Sequence, residues 1–383
     1  MDKPTVQDIF HRFYPAYLDQ YSPSPVQAKV AHNIMNCKTG AYGANVCVCE
    51  DCGFVQIHYN SCRNRCCPMC QAVPKEMWMD ARREDVLDAP YFHLVFTVPD
   101  ILNPVIYSNQ RLLYDALYHA ASSTISELTA DPKHLGAKVG YICILHTWGS
   151  EMNFHPHIHT ILLGGGLASN NHWKDNGENF FLPIRVISKM FRGKYLEELK
   201  RLWEEDKLVF HGTAEKFRNH YTFKELLDSC YGMDWIPHCK KTFNGAQTVI
   251  KYLGKYTHRI AVSNHRIVRM DDDTVTFLVK DYRNEGQWKE LTISGVEFVR
   301  RFLMHVPPRR FVRIRHYGLL CSRTKSQKLT LCRNLLGCKK YLSKLRDMEM
   351  PEILEHLYGI KVCVCKACGG HLGKPQMRMP LRC

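Results

Sequence analysis

Residues 139–163 read VGYICILHTWGSEMNFHPHIHTILL. Two stretches rich in branched and aromatic side chains, 139–148 and 155–163, flank a short polar connection, the pattern of two strands. So short a link suits antiparallel neighbours, since parallel strands need a crossover of roughly a dozen residues or more. The second strand ends at Gly164-Gly165-Gly166. Upstream, YFHLVFTV (91–98) is bounded by prolines and reads as another strand, and 103–129 carries a helical pattern. Downstream, 185–208 and 245–259 read as helices, and 266–270, 274–280 and 288–293 as strands. This mixture predicts an α+β fold, an antiparallel sheet with helices packed on one face.

The flanks divide by composition. Residues 5–36 look helical, with turn-forming Ser and Pro at 22–25, and 73–89 forms a helix that Pro90 closes. Segment 168–183 is polar and reads as a loop, while 209–243 has no clear pattern. The expected organisation is a helical segment (1–46), a Cys-rich module (47–72), and a main domain (73–293) with an insertion at 168–244. A basic segment (294–346) and a C-terminal tail with a second Cys group (347–383) complete it.

The chain has 383 residues, 45% of them hydrophobic, enough to bury a sizeable core and to exclude a disordered protein. Lys and Arg number 52 against 37 Asp and Glu, a net charge of +15 that favours a polyanionic partner. No apolar run approaches the roughly 18 residues a membrane span requires. The start, MDKPTVQDIF, lacks the basic and apolar regions of an export signal, so a cytoplasmic protein is expected. The charge is concentrated: Arg300 to Arg346 holds fourteen Lys or Arg and no acid, with Phe302, Phe311, Tyr317 and Tyr341 interleaved. That stretch, Arg309, Arg310, Arg313 and Arg315 included, reads as a phosphate-binding surface.

Eighteen Cys without an export signal argue for metal ligation rather than disulfides. Cys49-x2-Cys52 and Cys67-x2-Cys70 are two CxxC knuckles, and a ribbon-like tetrahedral zinc site follows from them. Cys62, Cys66, Cys47 and His58 compete for one place or supply a second ion. With no open coordination position evident, the zinc reads as structural, presenting Arg63 and Arg65 to nucleic acid. Cys363, Cys365 and Cys368 form a weaker group that needs distant partners, Cys383 among them.

On a strand, His155, His157 and His159 share one face. Neighbours in that set stand about 6.6 Å apart along the strand, a span that two imidazoles bridge to one divalent ion. His157 and His159 are the favoured pair. His155, twice as far from His159, needs a bend at Pro156 to join them, and Glu151, Gln247 and His93 rival it for a third place. Thr160 and Ile161 exclude the HxHxDH pattern of dinuclear hydrolases.

Tyr252 and Tyr256 lie at i and i+4 on one helical face, among Lys251, Lys255, His258 and Arg259. A phenol must lose its proton to attack phosphorus, and nearby cations favour the phenolate. A His-held metal that polarises a phosphate oxygen would complete such a site.

In this combination the sequence resembles the two-tyrosine HUH rolling-circle transposases of bacterial insertion sequences. SCRNRCCPMCQ (61–71) is similar to that family's N-terminal zinc segment, with Cys66 where His is common. YFHLVFTVP, HPHIHTILLGGGL, YLGKYTHRIAVSNHRI (252–267), TFLVKDYR (276–283) and EFVRRFLMHVPPRRFVRIRHYGLL (297–320) match in order and spacing. The resemblance implies an HUH endonuclease core of ferredoxin- or RRM-like type, with His157 and His159 as the metal pair. It implies Tyr252 and Tyr256 as nucleophiles, Mg²⁺ or Mn²⁺ as the ion, and single-stranded DNA cut to a 5′-phosphotyrosine and a free 3′-OH. Lys255 and Arg259 would then contact DNA, with Lys255 or His258 assisting proton transfer, at a nucleoid-associated site in bacteria. No GxxxxGK[ST] P-loop is present, so unwinding would fall to a host helicase or replication machinery. A rolling-circle replication initiator or relaxase shares this chemistry; a non-catalytic zinc-ribbon DNA-binding regulator is the rival from another class.

Overall fold

A computed structural model describes residues 3–175, 182–235, 237–241, 249, 254, 261–281, 284–374 and 376–378. Helices α1 (Val6–Gln20) and α2 (Pro25–Met35) each begin on a reciprocal cap. Thr5 Oγ1 accepts from Asp8 N while Asp8 accepts from Thr5 N, and Ser24 and Gln27 do the same. Strands β1 (Ala44–Val48) and β2 (Val55–Tyr59) pair as a hairpin, followed by α3 (Ala72–Arg83) and β3 (Tyr91–Thr97).

The single helix expected over 103–129 is two, α4 (Asn103–Ser108) and α5 (Gln110–Ala130). Asn109 breaks it: its side chain donates to Val105 O and accepts from Val209 N. Next come β4 (Lys138–Trp148), β5 (Phe154–Leu167) and the short β6 (Trp173–Asp175), which occupies part of the expected loop. The three glycines make that return possible: a Cβ on Gly165 would stand 2.4 Å from the Trp173 ring, and one on Gly166 2.5 Å from Lys138 O.

Helix α6 (Ile184–Glu204) is as expected, and the patternless 209–243 supplies α7 (His220–Gly232) and β7 (His238–Lys241). The expected helix 245–259 lies outside the described residues except for Val249 and Gly254, both helical. Strands β8 (Ile267–Met270), β9 (Thr274–Asp281) and β10 (Gln287–Ser294) lead to α8 (Gly295–Met304), β11 (Ile314–Gly318), α9 (Lys325–Leu336), α10 (Met350–Tyr358) and β12 (Gln376–Arg378).

The principal sheet is antiparallel, in the order β11-β4-β5-β3-β7, with β6 against β5. One face, with Phe92, Leu94, Tyr141, Cys143, Ile158 and Leu162, packs with α5, α6 and α7 in the largest core. Helices are not confined to that face, contrary to the expectation of helices on one face only. Met79 of α3 and Leu329 and Cys332 of α9 pack with Ile142, Ile144, Ile161 and Leu163 on the other. A second core joins α1 and α2 to β8, β9 and α8, and a third sheet runs β12-β1-β2.

Candidate active site

The second face of the principal sheet is apolar at one end and carries imidazoles at the other. Along β5, Leu163, Ile161, His159 and His157 alternate onto it; along β4, Ile142, Ile144 and His146 do. Register pairs His157 with His146 on β4 and Thr97 on β3, and His159 with Ile144 and Val95. One ring nitrogen from each of His146, His157 and His159 lies within 4.8 Å of the others.

His146 thus takes the third place that sequence reasoning gave to His155 or its rivals. The cause is a register shift. Trp148 opposes Phe154 but His146 opposes His157, so β5 carries an extra residue at 155–156. Pro156 lies in this bulge, where the ladder is already interrupted. His155 lines the cleft at its rim, its ring centre 5.1 Å from that of His157, but it stands outside the close trio, half-buried, with Nδ1 3.3 Å from Asp100. His93 lies behind His159 rather than beside the trio, its Nε2 2.9 Å from His159 Nδ1.

These contacts decide which nitrogens face the cleft. His157 Nδ1 donates to His155 O at 2.7 Å, which leaves Nε2 as a lone-pair donor. His159 Nδ1 is paired with His93 Nε2, so Nε2 is the His159 nitrogen turned to the cleft, 3.1 Å from His157 Nε2. Burial holds His93 and His157 down to about 4 and His159 well below its ordinary value. All three are therefore neutral near pH 7, the state in which imidazole ligates a cation. Two ring nitrogens this close fit an interposed cation, and three imidazoles suit a divalent ion with open positions.

The surrounding cleft has a volume of about 570 Å³. Its described lining includes His265, Arg266, Lys280, Trp148 and Trp288 and no carboxylate. Trp148 stacks on His146 with centroids 4.3 Å apart, and Lys280 Nζ stands 5.4 Å from the Trp288 ring centre. Arg266 is buried and donates to Leu278 O and Ser150 O, which fixes its guanidinium in the wall. Cations and flat aromatic faces around that donor set provide for phosphates and bases together.

Tyr252, Tyr256, Lys255, His258 and Arg259 lie outside the described residues. Their described neighbours all lie on the His-bearing face. Val249 is buried with Ile142, Ile161 and Met79, and Ala261 lines the cleft. A Cβ on Gly254 would meet Met79 Sδ at 1.9 Å, so this backbone rests directly on α3.

The four Cys expected to form one zinc site are divided between two groups. Cys67 and Cys70 converge with Cys37 and Cys62, while Cys49 and Cys52 stand beside Cys365 and Cys368. Of the other candidates, Cys66 is buried next to Arg65 and Arg313, and Cys383 lies outside the described residues. Arg65 is turned away from its expected nucleic-acid role and donates to Phe311 O and Pro308 O.

The basic segment is also less available than its composition suggests. Among the described residues, Glu297 pairs with Arg300 and Arg301, Asp115 with Arg315, Asp85 with Lys325 and Glu84 with Arg346. Arg315 lies over the Tyr118 ring at 4.0 Å, and burial lowers the pKa of Arg313. Both point into structure rather than toward a ligand. Arg309 and Arg310 are exposed.

Comparison with known proteins agrees with this layout. A family profile described as "Putative transposase" matches residues 140–328, which hold the His trio and the cleft walls. A "Transposase zinc-binding domain" profile of the IS91 type matches residues 9–98. The "Putative transposase y4qJ" of Sinorhizobium fredii (strain NBRC 101917 / NGR234) is 40% identical over 369 residues, 95% of this chain and 93% of its own. The chain belongs to the IS91/IS801 family of rolling-circle transposases. The "Transposase for insertion sequence element IS801" of Pseudomonas savastanoi pv. phaseolicola is 30% identical over 309 residues, 79% of this transposase and 72% of its own length. The solved conjugative relaxase TrwC in complex with oriT DNA shares 12% identity over 43% of this chain and 68% of its own. At a TM-score of 0.25 that likeness carries no weight. Among the described residues of the transposase, no helix is long and apolar enough to cross a membrane.

Proposed function

We propose that this transposase cuts and rejoins single-stranded DNA in the His cleft through a covalent tyrosine intermediate. The observation that carries the reading is the convergence of His146, His157 and His159 in a cleft walled by Arg266, Lys280, Trp148 and Trp288. The nucleophiles are Tyr252 and Tyr256, and the placement of Val249, Gly254 and Ala261 on the same face supports this assignment.

The bound strand stacks on the exposed Trp288 while Lys280 holds its phosphates, with Arg266 adding positive charge from the wall. A tyrosine oxygen attacks phosphorus, the bond to the 3′-oxygen breaks, and that oxygen leaves as a 3′-OH after taking a proton. A divalent ion at the three imidazoles, Mn²⁺ or Mg²⁺, supplies charge neutralisation on the non-bridging oxygen. The His93–His159 and His157–His155 hydrogen bonds hold both rings with Nε2 toward the cleft. The 5′-phosphotyrosine retains the phosphodiester's energy, so attack by a 3′-OH rejoins the strand. A second tyrosine allows a second link before the first is resolved. Without a P-loop, exposing the strand falls to a host helicase at the nucleoid.

Incubation with a single-stranded oligonucleotide from the element's end and Mn²⁺ tests the reading. The expected product is a protein–DNA adduct that survives denaturant and is absent from the Tyr252→Phe, Tyr256→Phe double mutant, on the order of a 10³-fold loss or more. Binding without cleavage by the wild type would favour a regulator instead, and cleavage by the double mutant would remove the tyrosine assignment.

A further inference from the structure

The two Cys groups differ in origin: one lies within the matched zinc-binding domain, whereas the other draws half its donors from beyond both matched regions. We propose that Cys49, Cys52, Cys365 and Cys368 hold a second zinc ion, which clips the C-terminal segment onto the N-terminal module.

Three independent features meet at this point. The first is distance. Cys49 Sγ lies 3.5 Å from Cys368 Sγ, and Cys52 Sγ 3.7 Å from Cys365 Sγ. Four thiolates tetrahedral about zinc, each bonded at about 2.3 Å, have edges of about 3.8 Å. The first group shows the same spacing, 3.8 Å between Cys62 and Cys70.

The second feature is a repeated backbone turn. Both arms read Cys-x-x-Cys-Gly, with the glycine in the left-handed region, φ 71° at Gly53 and 77° at Gly369. Gly53 N donates to Cys49 O as Gly369 N donates to Cys365 O. Ala367 N and Gly370 N approach Cys365 Sγ and Cys368 Sγ at 3.4 Å, amide contacts that stabilise thiolate charge. Two such knuckles face to face make a ribbon site from segments more than 300 positions apart in sequence.

The third feature is the scaffold around them. Strand β12 extends the β1–β2 hairpin, with Val46 opposite Gln376 and Ala44 opposite Arg378. Glu50 N donates to His371 O and Gly373 N to Val48 O. Among the described residues the associated buried apolar cluster is Cys47, Cys49, Cys365 and Leu372, too small a core to hold a strand in place unaided. A metal supplies what so few side chains do not. Cys363 stands outside the group, and Cys52 and Cys368 are exposed, so this centre is open to chelators at its outer side.

The test uses the full-length protein purified with zinc and without chelator. Metal analysis should find two zinc ions per chain, falling to one in Cys365→Ser, Cys368→Ser and unchanged in Cys363→Ser. Because the double variant could misfold, alkylation of the wild type read by mass spectrometry provides a second measurement. Cys365 and Cys368 should be protected in the holoprotein, become reactive on brief chelation, and do so before Cys67 and Cys70. One zinc per chain, or free alkylation of Cys365 and Cys368 while zinc is bound, overturns the proposal. Neither measurement involves DNA, so its failure leaves the cleavage reading intact.

Discussion

The His cleft and the Cys groups are both donor clusters, yet they are built in opposite ways. The imidazoles stand on adjacent strands of a sheet packed on both faces and number three in a cleft with room beside them. The thiols stand on short knuckles, come in fours, and approach one another at tetrahedral spacing. Three donors leave positions for a substrate; four thiolates close the coordination sphere. The sheet supplies rigidity where reacting atoms must be positioned, and the knuckles join segments that sequence separates.

The sharpest way to break this comparison is to damage each cluster and ask what fails. His159→Ala removes one cleft nitrogen and should lower strand cleavage on the order of 10³-fold, with binding of single-stranded DNA unchanged. His93→Phe leaves all three cleft nitrogens but removes the hydrogen-bond partner of His159 Nδ1. It should raise the Mn²⁺ concentration needed for cleavage about 10–100-fold, at unchanged DNA affinity. Metal titration of the cleavage rate checks both. A His93 variant with wild-type metal dependence would show that the hydrogen bond sets no tautomer.

Damage to the Cys groups should appear in stability instead. Cys67 is fully buried in the core that contains Phe10, Phe298 and Phe302. Its replacement by Ser should lower Tm by roughly 6–12 °C, the shift that about 3 kcal/mol produces. Cys365→Ser touches the four-residue cluster only and should leave the main transition within about 2 °C. Calorimetry of the two variants reads the difference, and equal shifts would mean that the two centres belong to one cooperative unit.

Local features of the site were legible in the sequence, and tertiary ones were not. His157 and His159 could be paired because alternate residues of one strand share a face. His146 could not, because its place depends on register: the short link between two strands set it near His157, but the bulge at 155–156 decided the partner. The CxxC knuckles were visible, but their pairing was not, since Cys37 and Cys62 complete one group and Cys365 and Cys368 lie beside the other. The strands at 266–294 followed from alternation. The break at Asn109 depends on Val209, a hundred residues away, and left no local signal. Gly254 carried one that was available: a glycine within a helical pattern indicates close backbone approach, here to Met79.

The basic segment is the subtlest case, because a run of cations without acids looks the same whether its counterions are phosphates or distant carboxylates. Asp115 and the acids of α3 and its C-terminal end answer for part of it, and Arg315, held between Asp115 and the Tyr118 ring, belongs to that part. Arg309 and Arg310, exposed beside the segment that Arg65 fastens, are among the residues left to meet DNA, with Arg323, Lys339, Lys340 and Lys344 also exposed. Arg309→Ala and Arg310→Ala should each weaken DNA binding a few-fold and flatten the plot of log affinity against log salt by about one unit, the signature of one lost phosphate contact. Arg315→Ala should leave that slope unchanged and cost about 1 kcal/mol of stability through the lost ion pair and ring contact. Salt titrations with a fluorescent oligonucleotide separate the cases. If Arg315→Ala flattens the slope as Arg309→Ala does, the guanidinium leaves Asp115 for the phosphate backbone, and the division between internal and DNA-facing cations drawn from this fold does not hold.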